Sequence, residues 1–234
     1  MASCTGDADL GDVTREYSTE LTVEHNGFVN GTAALSDLAE HYADAAQIVV
    51  VGNTGGSVVA PVYRGLASDL IPDAQVTVFG AGSGAFPDNP DFNAEIFGEL
   101  WGAFENMPDW EVNEGLTARD WDIPRFWIQA GLHDPDITMA RFDFAFDPNA
   151  ARAVEWMGED SSNYLELINA NEADIEAAGV VVHSFTAPGE GHRILELDAF
   201  YEMEVDGVTL ADWVESLLSS EPINDVYCDE CTAD

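Results

Sequence analysis

Residues 51–57 read Val-Gly-Asn-Thr-Gly-Gly-Ser and place a hydroxyl where a β-branched run gives way to a glycine-rich turn. A strand that enters a helix through so tight a turn has little room for ordinary side chains. The pattern glycine–x–nucleophile–x–glycine meets that demand. Its glycines relieve crowding, its hydroxyl projects above the sheet at a helix N-terminus, and the following backbone N–H can hold an oxyanion. Gly52 and Gly56 take the glycine positions and Thr54 the nucleophile position, with Asn53 and Gly55 completing the elbow. A phosphate-binding loop would need Gly-Lys-Ser/Thr, and the chain has no lysine. The dinucleotide fingerprint Gly-x-Gly-x-x-Gly is not matched either. A plain structural turn is the other reading left open.

An acyl-transfer nucleophile needs a general base, and the base needs an acid to orient it. In elbow-bearing hydrolases the three follow one another as nucleophile, acid and histidine along the chain. Asp147 follows an apolar run and precedes a helical stretch, where an acid on a strand-end loop belongs; a helix N-cap is the alternative reading. His192 lies in the loop Ala-Pro-Gly-Glu-Gly-His after the last clear strand and suits the base, with a surface loop histidine as the alternative. Asp134 and Asp136 compete for the acid role but precede the strand. His25, His41, His133 and His183 are read as surface or satisfied core residues.

The elements that must position these residues are legible in part. Ile48–Val51 is a continuous β-branched run, as in a buried parallel strand. A helix is expected from the elbow to about Leu70, closed by Pro72, and then a second buried strand over Gln75–Phe79. This is a βαβ signature. A ragged strand is expected over 14–24, and a helix over 29–43 with Leu35, Leu38 and Tyr42 on one face. Helical spacing relates Phe97, Leu100, Trp101 and Phe104, and helices are expected over 123–132, 149–178 and 211–220. Residues 137–146 and 180–186 read as strands. The aromatic residues of 97–110 suit a core or lid better than a sugar-stacking platform. The expected class is α/β, a mostly parallel sheet with helices on both faces, in one domain spanning 1–234 with an acidic tail from about 221.

Composition narrows the partners. The chain carries 45 acidic residues against seven basic ones, all arginine, for a net charge of −38. Such a surface repels nucleic acid and anionic membranes. It suits solubility in high salt, where counterions screen self-repulsion; recruitment of cations or of a basic partner is the sharper alternative. No apolar stretch is long enough for a membrane span. The opening MASCTGDADL has neither the basic nor the apolar region of a signal peptide. Cys228 and Cys231 lack the further ligands a zinc site needs, so a small disulfide or free thiols are expected, with Cys4 as the third cysteine. Asn30-Gly31-Thr32 is a glycosylation sequon by pattern.

Taken together, several motifs resemble a bacterial member of the pectinacetylesterase family, which includes the Notum carboxylesterases. They are Cys4-Thr5-Gly6-Asp7, His25-Asn26-Gly27-Phe28-Val29-Asn30, the elbow, Gly82-Ser83-Gly84-Ala85-Phe86-Pro87-Asp88, Phe144-Ala145-Phe146-Asp147, Ala187-Pro188-Gly189-Glu190-Gly191-His192 and Asp206-Gly207-Val208 with Asp212-Trp213-Val214. The resemblance implies an α/β-hydrolase-like fold and deacetylation or similar ester hydrolysis on a small-molecule or glycan ester. It implies no metal or other cofactor and a location outside the cytoplasm or at the cell surface. It also places the acid on Asp147 and the base on His192. The sequence departs from the family where Thr54 replaces serine, Gly55 replaces alanine and Ala81 replaces a common aspartate. The family's upstream glycine-rich stretch, a source of oxyanion donors, has no counterpart before Cys4, which implies either N-terminal truncation, with an unpaired sheet edge, or an incomplete oxyanion hole. A degenerate hydrolase that binds a glycan or ester ligand without cleaving it is the rival reading.

Overall fold

In the computed structural model, residues 5–219, 221–228 and 231–233 are described; Cys4 lies outside them. A hairpin of β1 (Val13–Ser18) and β2 (Leu21–His25) comes first, followed by α1 (Gly27–His41). The continuous strand expected over 14–24 is broken at Thr19-Glu20, a turn carrying none of the usual glycine, proline or asparagine signals. Leu35 and Leu38 pack against the core, whereas Tyr42 stands just past the helix, exposed.

Then the repeating unit begins: β3 (Gln47–Asn53), α2 (Gly55–Leu70) and β4 (Gln75–Ala81). A long excursion follows, with α3 (Pro90–Asn93), a π-helical turn over Ala94–Leu100, three short 3₁₀ turns and α4 (Ile123–His133). The helical spacing of 97–104 thus resolves into a π turn and a 3₁₀ turn separated by Gly102 in a left-handed conformation. Phe97 and Trp110 are buried there as core residues. β5 (Thr138–Phe144) leads to α5 (Pro148–Trp156) and α6 (Tyr164–Ala177), two helices where one periodic stretch is expected, parted near Gly158 at φ +88°. β6 (His183–Ala187), α7 (Ala199–Glu202), a small hairpin of β7 (Glu204–Val205) and β8 (Val208–Thr209), α8 (Leu210–Leu218) and β9 (Val226–Tyr227) complete the chain.

Five strands form one parallel sheet in the order β3-β4-β5-β6-β9. The acidic tail therefore contributes a strand, which its composition conceals. Alternation along each strand sends side chains to two different layers. Val78 and Met139 meet α2, α4 and α6, while Phe79, Phe142 and Phe185 meet α8 through Trp213 and Leu217. Stacked Phe142–Phe185 and edge-on Phe185–Trp213 contacts build the second layer. At one border β3 has a partner on one side only among the described residues, and Val49 and Val51 are exposed there. At the other border, Cys228 and Cys231 form a disulfide just past β9. No helix of the described residues is long and apolar enough to cross a membrane.

Candidate active site

The carboxyl ends of parallel strands gather loops from distant parts of a chain, and ligands bind there. Thr54 follows β3, Asp147 follows β5 and His192 follows β6. Thr54 Oγ1 lies 2.8 Å from His192 Nε2, and His192 Nδ1 lies 2.6 Å from Asp147 Oδ2. An ionised Asp147 can only accept, so it places the imidazole proton on Nδ1 and leaves Nε2 to accept from the Thr54 hydroxyl.

Each member is held by its own local structure. Thr54 sits at φ +56°, uncommon for any residue but glycine and costly for a β-branched one. Its N–H donates to Ala81 O at 2.7 Å, locking the elbow to β4. Gly52 allows the turn: a Cβ there would strike the backbone of Gly56 and lie 2.6 Å from Ser57 N. Gly56, by contrast, has no heavy atom within 4 Å of such a Cβ, so its own side-chain space is free. Gly55 is equally open and begins α2, with its N–H at the end that leaves donors uncommitted.

Asp147 makes two sets of contacts, one with each carboxylate oxygen. Its Oδ1 caps α5 by accepting from Asn149 N and Ala150 N, while Oδ2 takes His192. One buried carboxylate thus receives three hydrogen bonds, and none of its position depends on an exposed side chain.

The His192 loop is pinned at several points. Gly189 N–H donates to Thr232 O at 2.9 Å, next to the disulfide, and Phe146 N–H donates to Gly189 O. A Cβ on Gly191 would run into the Phe144 ring, so the backbone lies directly on that aromatic face. Beyond the histidine, Asn53 Nδ2 donates to Glu196 Oε2 at 2.9 Å, joining the loop to the elbow. Elbow residues Gly52, Asn53 and Gly56 line one part of a groove of about 700 Å3 along β3 and α1, with Val49, Val51 and Leu195.

The competing residues are occupied elsewhere. Asp134 bonds Arg64 and Ser68, and Arg64 in turn donates to Val76 O. Asp136 is exposed. His25 is buried between Tyr17 and Thr5 O, His133 stacks on Trp110 and bonds Asp69, His41 bonds Asp37 O, and His183 lies 3.7 Å from Asp225. No cluster of three or more metal-ligating side chains is present among the described residues.

Sequence reasoning passes over a second polar layer beneath the site. Arg141 and Asp143, two apart on β5, face the same helical layer inside an otherwise apolar strand. Arg141 is fully engaged with Ser184, Asn171, Ile168 O and Glu172. Asp143 accepts from Gly84 N at 2.8 Å. Burial pushes its carboxyl up to about 6, opposed by Arg141 and the Gly84 N–H and reinforced by Asp147 and Glu172. Two charges at i, i+2 in a buried run are the signal that would have marked them.

No family model matches this chain, and no curated protein matches it by sequence. Among solved structures, it is similar to the Wnt deacylase Notum from Drosophila with a TM-score of 0.63 and 14% identity, covering 98% of this chain and 71% of that one. The fold is α/β-hydrolase-like. At that identity the likeness carries the fold alone.

Proposed function

We propose that this protein is a carboxylic ester hydrolase of the pectinacetylesterase type, working by acyl transfer with Thr54 as nucleophile. The observation that carries the reading is the continuous chain of hydrogen bonds from Thr54 Oγ1 through the His192 imidazole to the buried Asp147. His192 Nε2 takes the Thr54 proton as Oγ1 attacks the ester carbonyl, and Asp147 stabilises the imidazolium that forms. The Gly55 N–H faces the negative charge on the tetrahedral oxygen. Imidazolium then protonates the departing alcohol, leaving an acyl-threonine. Water, deprotonated by His192, attacks that ester and releases the acid, restoring the hydroxyl. No cofactor enters these steps. A substrate lying along β3 would meet an apolar wall, which suits the acyl or alcohol part of a neutral ester.

A burst of chromophore from p-nitrophenyl acetate, lost in both Thr54→Ala and His192→Ala, is the expected result. A wild-type protein without burst or turnover, unchanged by Thr54→Ser, would remove hydrolysis from consideration. That outcome would favour a second reading, ligand binding without cleavage. It draws on the β-branched side chain at positive φ in the elbow, and calorimetry with acetylated oligosaccharides measures it.

A further inference from the structure

Within the proposed hydrolase, the segment Gly82–Gly84 has no assigned part, although it lies beside His192 and the first turn of α2. It connects β4 to the long excursion and lies buried beside the elbow. Gly82, at φ +78°, donates its N–H to Phe142 O at 2.9 Å. A Cβ on Gly82 would lie 3.0 Å from the His192 carbonyl oxygen and 3.7 Å from both Nδ1 and Cε1 of its ring. The Gly82 backbone therefore borders the space beside the imidazole, about one methyl group away from the ring. Next to it, the Ser83 hydroxyl is hydrogen-bonded to Ser57, in the first turn of the helix that Thr54 caps. Gly84 then sits directly on the Asp143 carboxylate, which leaves no space for a side chain, and donates its N–H to Oδ1.

We propose that Asp143 is a positioning residue: through the Gly84 N–H it holds the 82–84 turn against His192 and so keeps the imidazole in line between Thr54 and Asp147. This rests on the ester-hydrolase reading for its effect on turnover, but the geometry it describes stands apart from turnover. Burying a carboxyl beside Asp147 and Glu172 is costly, and the cation nearby, Arg141, is already shared among four other acceptors. An apolar side chain would fill the same volume at lower cost. What it would lack is an acceptor for the Gly84 N–H. The groups facing Asp143 are Arg141 on its own strand, Asp147 on the next loop, and Tyr164 and Glu172 on α6.

Two variants of the full chain separate these roles. Asp143→Asn keeps an acceptor for Gly84, and Asp143→Leu keeps volume but removes the acceptor. With p-nitrophenyl acetate, Asp143→Leu should lower kcat by about ten- to a hundredfold, as a misplacement near 1 Å does, with KM within about twofold. Asp143→Asn should restore most of kcat. Independently of turnover, the low-field Nδ1–H proton resonance of His192, assigned by its loss in His192→Ala, should be retained in Asp143→Asn and be shifted or lost in Asp143→Leu. A folded Asp143→Leu with wild-type kcat and an unmoved resonance overturns the proposal. So does an Asp143→Asn that melts like wild type yet loses turnover or the resonance, and this arm decides the matter if Asp143→Leu does not fold. If wild-type protein shows no turnover, the hydrolase reading fails while the resonance comparison still tests the positioning.

Discussion

Replacing Gly52 by alanine tests whether the elbow is as tight as its geometry says. The three atoms nearest the added Cβ would all be backbone, the Gly56 carbonyl and Ser57 N, the latter at 2.6 Å. No side chain can swing aside, so the start of α2 must retreat by roughly 1 Å to restore ordinary contact. Thr54 caps that helix, and its hydroxyl is 2.8 Å from His192 Nε2. A retreat of that size carries the pair beyond hydrogen-bond range. The expected cost is about 100-fold in the burst rate and about 1–3 kcal/mol of stability. Gly55→Ala is the matched control, because nothing lies within 4 Å of its Cβ and the position is helical. It should gain about 0.5–1 kcal/mol by restricting the unfolded chain and leave the burst intact. Urea unfolding gives the stabilities, and stopped-flow p-nitrophenol release gives the burst. A Gly52→Ala protein with wild-type burst and midpoint, or a Gly55→Ala protein as damaged as Gly52→Ala, would refute the reasoning.

Asp143 also makes a pH-dependent contribution whose sign is fixed. Its folded carboxyl is raised to about 6 from an ordinary 3.8, so the folded state binds this proton more tightly than the unfolded chain. That contribution is complete below about pH 3.8 and is lost as pH rises through about 6, at a cost on the order of 3 kcal/mol. Asp143→Asn should therefore be more stable than wild type at pH 7.5, with the difference shrinking at pH 4; equal differences in urea midpoint at both values contradict this. Salt acts on the whole surface. At a net charge of −38, raising potassium chloride from about 0.1 to 1 M shortens the screening length from about 10 to 3 Å and should raise Tm. A Tm that is flat or falling in differential scanning fluorimetry would show that self-repulsion is not a dominant destabilising influence.

The parts of the site legible in the sequence are those with local causes. A β-branched run followed by glycines marks β3 and its elbow, and a proline-glycine loop after an apolar run marks the neighbourhood of His192. Asp147 is readable as acid or as cap; in the structure one oxygen caps α5 and the other bonds His192. What composition hides is decided by distant pairing. β9 is two residues within an acidic tail, and only its register with Phe185 and Thr186 makes it a strand. The parting of α5 from α6 at Gly158 has a local signal, but a single glycine in a periodic stretch is a weak one. Asp143 has no local signal for its contact with Gly84, 59 residues away in the chain.

The strand carrying Thr54 stands at the margin of the sheet, supported by β4 alone among the described residues. Peptide groups on its outer side have no neighbouring rung to shield them, so deuterium from solvent should reach them without the cooperative opening that β4 and β5 require. Protection should therefore climb from β3 inward, and Thr54 follows the strand that exchanges soonest. Any molecule lying along that margin would slow exchange in β3 first, which makes isotope uptake there a direct gauge of occupancy, independent of whether the occupant is cleaved.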